Sequence, residues 1–161
     1  MALEPTTIEP AAWERFALRV VNQSETPVVA VEIALPDVLQ ILGIDQPPGW
    51  AAELVRATDS TPPSIVWWGG EVPRGGFREF PFMGRLPADA RRRELVFPVT
   101  LGRADGSETV FGPGGQGRAL AVAISGTTGI SAWGAFALAG GAMGLAVLAL
   151  ALALLARRER P

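Results

Sequence analysis

The sequence predicts an all-β domain, an immunoglobulin-like or cupredoxin-like β-sandwich, followed by a single C-terminal transmembrane α-helix. Two observations favour this fold class: short apolar runs separated by turn residues fill the first two thirds of the chain, and a long uncharged segment follows them. About seven or eight short strands are typical of a sandwich. The predicted organisation is a sandwich domain at 1–113, a Gly/Ser/Thr-rich linker at 114–129, a membrane helix at 130–156 and a short basic tail at 157–161.

The strands of the sandwich are predicted from β-branched and apolar runs bounded by Gly, Pro, Asn and Asp. These runs are 16–21, 28–35, 38–44, 50–57, 64–68, 77–83 and 95–101. The first two are separated only by turn-forming residues, which predicts that they form a hairpin. The third run is also compatible with a short helix.

The core of this domain must be held by apolar packing, because the chain contains no cysteine to form disulfides. Successive residues of a strand point to opposite faces, so one member of the Trp67-Trp68 pair should be buried and the other half exposed. The large side chains expected to build the core are Trp13, Trp50, one of that pair, Phe80 and Phe97.

The C-terminal part of the chain indicates a membrane anchor. Residues 119–156 carry no ionisable side chain, and three arginines lie within 157–161. At about 1.5 Å of rise per residue, the Ala/Leu/Gly/Val-rich stretch 132–155 spans roughly 36 Å, enough to cross a hydrocarbon core of about 30 Å. A buried helix of a soluble protein would be shorter and would usually keep a polar face. The positive-inside rule then predicts a single-pass cell-membrane protein with the N-terminal domain outside and the C-terminus cytoplasmic.

The N-terminal residues lack the basic and apolar regions of a signal peptide. Either the chain is a tail-anchored protein with a cytoplasmic domain, or a leader precedes the given start. We favour the second interpretation, which is consistent with the resemblance described below.

Composition argues against several classes of function. Residues 1–118 hold 11 Arg against 15 Asp and Glu, and this acidic balance argues against nucleic acid as a partner. Histidine, cysteine and tyrosine are all absent, which removes the usual nucleophile–base pairs and ordinary zinc sites. No spacing singles out a pair of carboxylates for glycoside hydrolysis. We therefore expect a protein that is not an enzyme and has no catalytic residues.

A series of short landmarks runs through nearly all of residues 3–113 in a characteristic order and spacing. The landmarks are 9–13, 16–22, 31–36, 48–50, 65–68, 72–77, 79–80, 86–87, 95–99 and 105–106. In this order they resemble the YcnI-like copper-binding domain family. The C-terminal anchor with a basic tail also matches the usual plan of that family.

The resemblance implies an exported, membrane-tethered domain that binds copper. In the family an N-terminal His supplies its amine and imidazole, a Glu at the end of the first strand adds an oxygen, and a Trp lies over the metal. Cu(II) favours such nitrogen and oxygen ligation. In this chain the equivalent positions hold Gln23 and Phe111, and the His would precede Met1. Glu4 and Glu25 are substitute candidates for an oxygen ligand, although exposed carboxylates at such positions are more often only solvated.

Two functions remain open at this point. The first is extracytoplasmic copper handling by a family member whose metal site has degenerated, with copper as its cofactor. The second is a tethered non-metal module that binds or scaffolds a neighbouring membrane or envelope protein. Both place the chain in contact with the lipid bilayer.

Overall fold

The computed structural model describes residues 1–59, 61–90, 93–113 and 115–125. Within these ranges the backbone forms strands joined by turns, and every run predicted from the sequence overlaps a strand. The strands are β1 (Ala2–Glu4), β2 (Thr7–Ile8), β3 (Trp13–Val21), β4 (Val28–Ala34), β5 (Gln40–Ile44), β6 (Ala51–Val55), β7 (Ser64–Val72), β8 (Phe77–Arg85), β9 (Glu94–Phe97), β10 (Val99–Arg103), β11 (Glu108–Phe111) and β12 (Leu120–Ile124). The prediction of an all-β domain is confirmed, and the run 38–44 contains a strand and no helix.

The strands form two large sheets and one small sheet. The four-stranded sheet has the order β1-β3-β8-β5, and the five-stranded sheet has the order β11-β10-β4-β7-β6. All neighbours in these two sheets are antiparallel. The small sheet has the order β2-β12-β9, in which β2 and β12 are parallel. Consecutive strands often belong to different sheets, as in a sandwich.

Aromatic rings contributed by both large sheets form much of the core. Phe16 and Phe82 stack with ring centroids 4.9 Å apart, and Trp67 meets Phe80 at 5.3 Å. The predicted core residues Trp50, Phe80 and Phe97 are buried. The expected alternation is also confirmed, because Trp67 is fully buried while its neighbour Trp68 is 42% exposed.

The prediction that Trp13 belongs to the core is wrong. Trp13 is 53% exposed, because the inward-facing positions of β3 are the even-numbered ones, such as Phe16 and Leu18. Its indole lies instead beneath the guanidinium of Arg85, which is 5.3 Å from the ring centroid.

The predicted hairpin between the first two runs is also wrong. β3 pairs with β1 and β8, whereas β4 pairs with β10 and β7 in the other large sheet. The connection 22–27 crosses between the sheets, and the buried side chain of Asn22 holds it there. The Asn22 amide nitrogen donates to the carbonyls of Thr26 and Val72, each at 3.0 Å, and its oxygen accepts from the Ser24 N–H.

The run 95–101 is divided into two strands at Pro98, which has no N–H to donate to a sheet. β9 pairs with β12, while β10 pairs with β4 and β11. The Pro98 carbonyl still accepts a hydrogen bond of 2.9 Å from the Ala34 N–H. A single apolar run therefore serves two different sheets.

The C-terminal limit of the sandwich differs from the predicted residue 113. Strand β12 lies inside the predicted linker 114–129, and the alternation of its side chains buries Val122 and Ile124. The predicted membrane helix 130–156 and the tail 157–161 lie outside the described residues. In the part of the chain that the structure describes, no helix is long and apolar enough to span a bilayer.

Candidate binding surface

The copper-equivalent position Gln23 lies in the connection between β3 and β4, where its side chain is exposed. Glu25 lies in the same connection and is also exposed. Its carboxylate accepts a hydrogen bond of 2.6 Å from Nη1 of Arg74. This carboxylate is therefore engaged in a surface ion pair.

The structure does not bring Phe111 to this end of the domain. Phe111 lies opposite Val99, whereas the connection 22–27 contacts the other end of β10 through the hydrogen bond from Ala104 N–H to the Pro27 carbonyl. The four residue steps from Val99 to Arg103 correspond to about 13 Å of strand. The Phe111 ring is also half-buried against Gly117, where a side chain would have no room. Gln23 and Phe111 therefore do not share a site.

Glu4 is on β1, where it pairs with Ala17 of β3. The Glu4 carboxylate is 3.9 Å from the guanidinium of Arg19. The register that pairs Ala2 with Arg19 brings the N-terminal end of the chain close to the connection that holds Gln23. Within the described ranges, no group of three or more His, Cys, Asp or Glu side chains is arranged to hold a metal ion.

A different feature is prominent on the outer face of the four-stranded sheet. Strands β3 and β8 pair along their whole length, and alternate pairs point away from the core. From one end of the face to the other, these outward pairs are Val21 with Phe77, Arg19 with Glu79, Ala17 with Pro81, Arg15 with Met83, and Trp13 with Arg85. We call these ten residues the outer face.

Large apolar side chains of the outer face are open to solvent at both of its ends. Phe77 is 65% exposed, Trp13 53%, Met83 44% and Val21 41%. Single exposed apolar residues are common on proteins, but clusters of them mark interaction surfaces. Trp and Phe are also prominent among the residues that dominate protein–protein interfaces.

Two charged residues at the middle of the outer face, Arg19 and Glu79, are paired with each other. Arg19 donates to Oε1 of Glu79 from Nε at 3.1 Å and from Nη2 at 2.8 Å. The hydrogen bond from Glu79, together with the charges of Glu4 and Glu79, raises the pKa of Arg19 above its ordinary value. The Arg19–Glu79 pair separates the two exposed apolar ends.

Three shallow depressions follow β8 along the outer face and the adjoining edge. Their volumes are about 330, 430 and 610 Å³, and neighbouring depressions share residues such as Asp45, Phe77, Glu79 and Pro81. The lining of each depression combines apolar and charged side chains. This surface was not predicted from the sequence, although the period-two alternation of 13–21 and 77–85 is a signal that could indicate it.

The two facing antiparallel sheets and the crossing connections define the protein as an immunoglobulin-like β-sandwich. Residues 1–110 match the family described as "Domain of unknown function (DUF1775)", and the chain belongs to that family. YcnI-like proteins contain this domain, so the resemblance is confirmed at the level of the family. None of the curated protein sequences matches the chain.

Solved structures show the same fold. An uncharacterized protein from Nocardia farcinica, described as having an immunoglobulin-like fold, is 23% identical with a TM-score of 0.59. The similarity covers 73% of this chain and 92% of that protein. A cohesin module from a Clostridium perfringens family 33 glycoside hydrolase is 10% identical with a TM-score of 0.50, covering 76% of this chain and 95% of the module. At these identities the likeness extends to the fold alone.

Proposed function

We propose that this protein is a membrane-tethered, non-enzymatic binding module of the cell envelope, which binds a partner protein through the outer face. The observation that carries the proposal is the exposure of Phe77, Trp13, Met83 and Val21 on one sheet face. Burying four such side chains against a partner would be favourable, since full burial of one large apolar side chain contributes roughly 1.5–3 kcal/mol. The Arg19–Glu79 pair between them would orient the partner.

The proposed location rests on the amino-acid sequence. Residues 130–156 are uncharged and the arginines follow directly, which supports a cell-membrane anchor with the sandwich outside and 157–161 in the cytoplasm. Protease added to intact cells should then remove a tag inserted at Gly106, in the exposed turn after β10, and spare a tag placed after Pro161. The opposite pattern would place the domain in the cytoplasm.

Site-specific photo-crosslinking in cells tests the binding proposal. A benzophenone amino acid at Phe77 of the full-length protein should form a discrete adduct with a protein partner. The control position is Val96, which is 42% exposed on β9 of the small sheet. Equal adducts at both positions, or none at Phe77, would contradict the proposal.

A second candidate is copper handling, which the family resemblance implies. One observation favours it: the register of β1 brings the N-terminal end close to the connection that holds Gln23, as an N-terminal copper site requires. For the chain as given we expect no tight Cu(II) binding, because it contains no imidazole and Gln23 and Phe111 lie far apart. Retention of an equivalent of Cu(II) by the full-length protein against a moderate chelator would favour copper handling.

A further inference from the structure

One edge of β8 is open along half of its length. β3 pairs with every residue of β8, but on the other side β5 pairs only with 82–85. The chain then continues as Asp45 and turns away through Pro47 and Pro48 toward the five-stranded sheet. Residues 77–80 of β8 therefore have no neighbouring strand on that side among the described residues.

Hydrogen bonds at the end of β5 fix which backbone groups face this open edge. The Asp45 N–H donates to the Pro81 carbonyl at 3.0 Å, so the Pro81 carbonyl points away from β3. Alternate residues of a strand direct their backbone groups to the same side. The N–H and C=O groups of Phe77 and Glu79 therefore point to the open edge, while those of Arg78 and Phe80 bond to β3.

The same hydrogen bonds explain why the ladder stops here. Pro81 has no N–H to return to the Asp45 carbonyl, and that carbonyl accepts the indole N–H of the buried Trp67 at 3.0 Å instead. At the next bonding position the chain presents Pro47, which also lacks an N–H. Beyond Asp45, β5 has no suitable donor with which to continue along β8.

A depression of about 430 Å³ lies at this open edge. The segment with Asp45, Pro47 and Pro48 lines one side, and residues 77–79 and Pro81 line the other. Arg78 contributes a buried guanidinium nitrogen, Nε, that has no hydrogen-bond acceptor in the described part of the chain. The depression thus combines free backbone groups, apolar walls and an unpaired cationic donor.

We propose that the open edge of β8 takes up an extended acidic peptide from the partner protein, which adds to the sheet as a strand in line with β5. This inference rests on the proposed function and names the chemistry of the partner. An exposed edge selects an extended peptide, because its hydrogen-bonding groups match a strand backbone. The four backbone groups of Phe77 and Glu79 supply the ladder.

The unpaired donor of Arg78 favours an acidic peptide. The charged side chains that line the depression at the open edge are Arg78, Asp45 and Glu79. Arg19 and Glu79 already neutralise each other at 2.8 Å. A carboxylate on the peptide would give Arg78 the acceptor that it lacks.

Amide hydrogen exchange of the full-length protein in detergent micelles tests the open edge directly. In the free protein the amides of Arg78 and Phe80 should be protected and those of Phe77 and Glu79 should exchange rapidly. Slow exchange at all four amides would show that the edge is already occupied and would overturn the proposal.

Peptide binding then tests the occupant. The probes are acetylated hexapeptide amides with valine at alternate positions and glutamate, serine or lysine between them, measured by fluorescence anisotropy. The glutamate peptide should bind best, by about ten-fold over the lysine peptide, which corresponds to one charge-assisted hydrogen bond. Arg78→Gln should abolish this preference while leaving the binding of the serine peptide unchanged.

N-methylation of the glutamate peptide provides a control that leaves the protein intact, should Arg78→Gln fail to fold. Methylation of one alternate set of peptide amides should abolish binding, and methylation of the other set should leave it. Strand addition would be overturned if binding were lost with both methylated sets or with neither of them. It would also be overturned if the unmethylated glutamate peptide did not bind. If Phe77 still forms a cellular adduct in that case, the proposed function stands and the partner docks on the outer face without adding a strand.

Discussion

Trp50→Ala should destabilise the sandwich by about 3–5 kcal/mol, the usual range for truncating a buried Trp or Phe. Trp50 is 5% exposed, and its ring meets Phe80 edge-on with centroids 4.8 Å apart. On its other side the backbone of Gly70 lies so close to the indole that a Cβ there would overlap it.

The magnitude follows from burial. Removing roughly 200 Å² of Trp surface from water at about 25 cal/mol per Å² corresponds to about 5 kcal/mol, and the edge-to-face contact adds about 0.5–1.5 kcal/mol. Relaxation of the site reduces this sum. With an unfolding entropy of about 2.1 cal/mol/K per residue over residues 1–125, a loss of about 3–5 kcal/mol lowers the melting temperature by about 11–19 °C.

Differential scanning calorimetry of the full-length protein in detergent is the assay, and Trp68→Ala is the matched control. Trp68 is the same residue type, on β7, but 42% of it is exposed, so its truncation should shift the melting temperature by a clearly smaller amount. Equal shifts for the two variants would refute the assignment of Trp50 to the core.

Gly70→Ala should destabilise by about 1–3 kcal/mol through overlap with the indole, whereas Gly43→Ala, whose new Cβ meets nothing within 4 Å, should hardly move the melting temperature. Asn22→Asp should destabilise most at neutral pH, because a carboxylate would face two carbonyls. Burial raises the pKa of the new carboxyl, so melting curves should show the penalty growing as pH rises through the unfolded-state value. The Ser107 hydroxyl, and then its N–H, holds the pKa of Asp105 below its ordinary value. Stability from this turn should be lost as pH falls through that lowered value, and Ser107→Ala should raise the pKa in a carbon-13 NMR titration.

The strands were predictable because their causes are local. The alternation in 13–21 and 77–85 reflects strands that are buried on one face. Gly- and Pro-containing turns mark where the apolar runs end. Two features nevertheless depend on more than the local pattern. Pro98 divides one apolar run between two sheets, and the apolar residues 120–124 form a strand although they begin the uncharged segment.

Pairing between strands could not be predicted, because an apolar run does not show which of two sheets receives it. The buried amide of Asn22 decides that 22–27 crosses between sheets, and its partner Val72 is distant in sequence. The exposure of Trp13 could not be predicted for a similar reason. The core that β3 faces decides which alternate residues of this strand point inward.

The outer face depends on the register between strands in the same way. Val21 and Phe77 are far apart in the chain and become neighbours only through the pairing of β3 with β8. The open edge of β8 arises because Pro81 and Pro47 both lack a backbone donor at successive bonding positions. Conversely, Gln23 and Phe111 were grouped by resemblance, and the structure places them at opposite ends of β10.

The most direct test of the outer face as a binding surface measures the cellular adduct formed by the photo-crosslinker at Phe77 in two further variants. Val21→Asp places a charge beside Phe77, and Val96→Asp places the same charge at an equally exposed valine on the small sheet, 42% against 41%. Because a buried unpaired charge opposes association while a solvated one does not, the adduct should be lost with Val21→Asp and retained with Val96→Asp. Retention of the adduct in both variants would contradict the account.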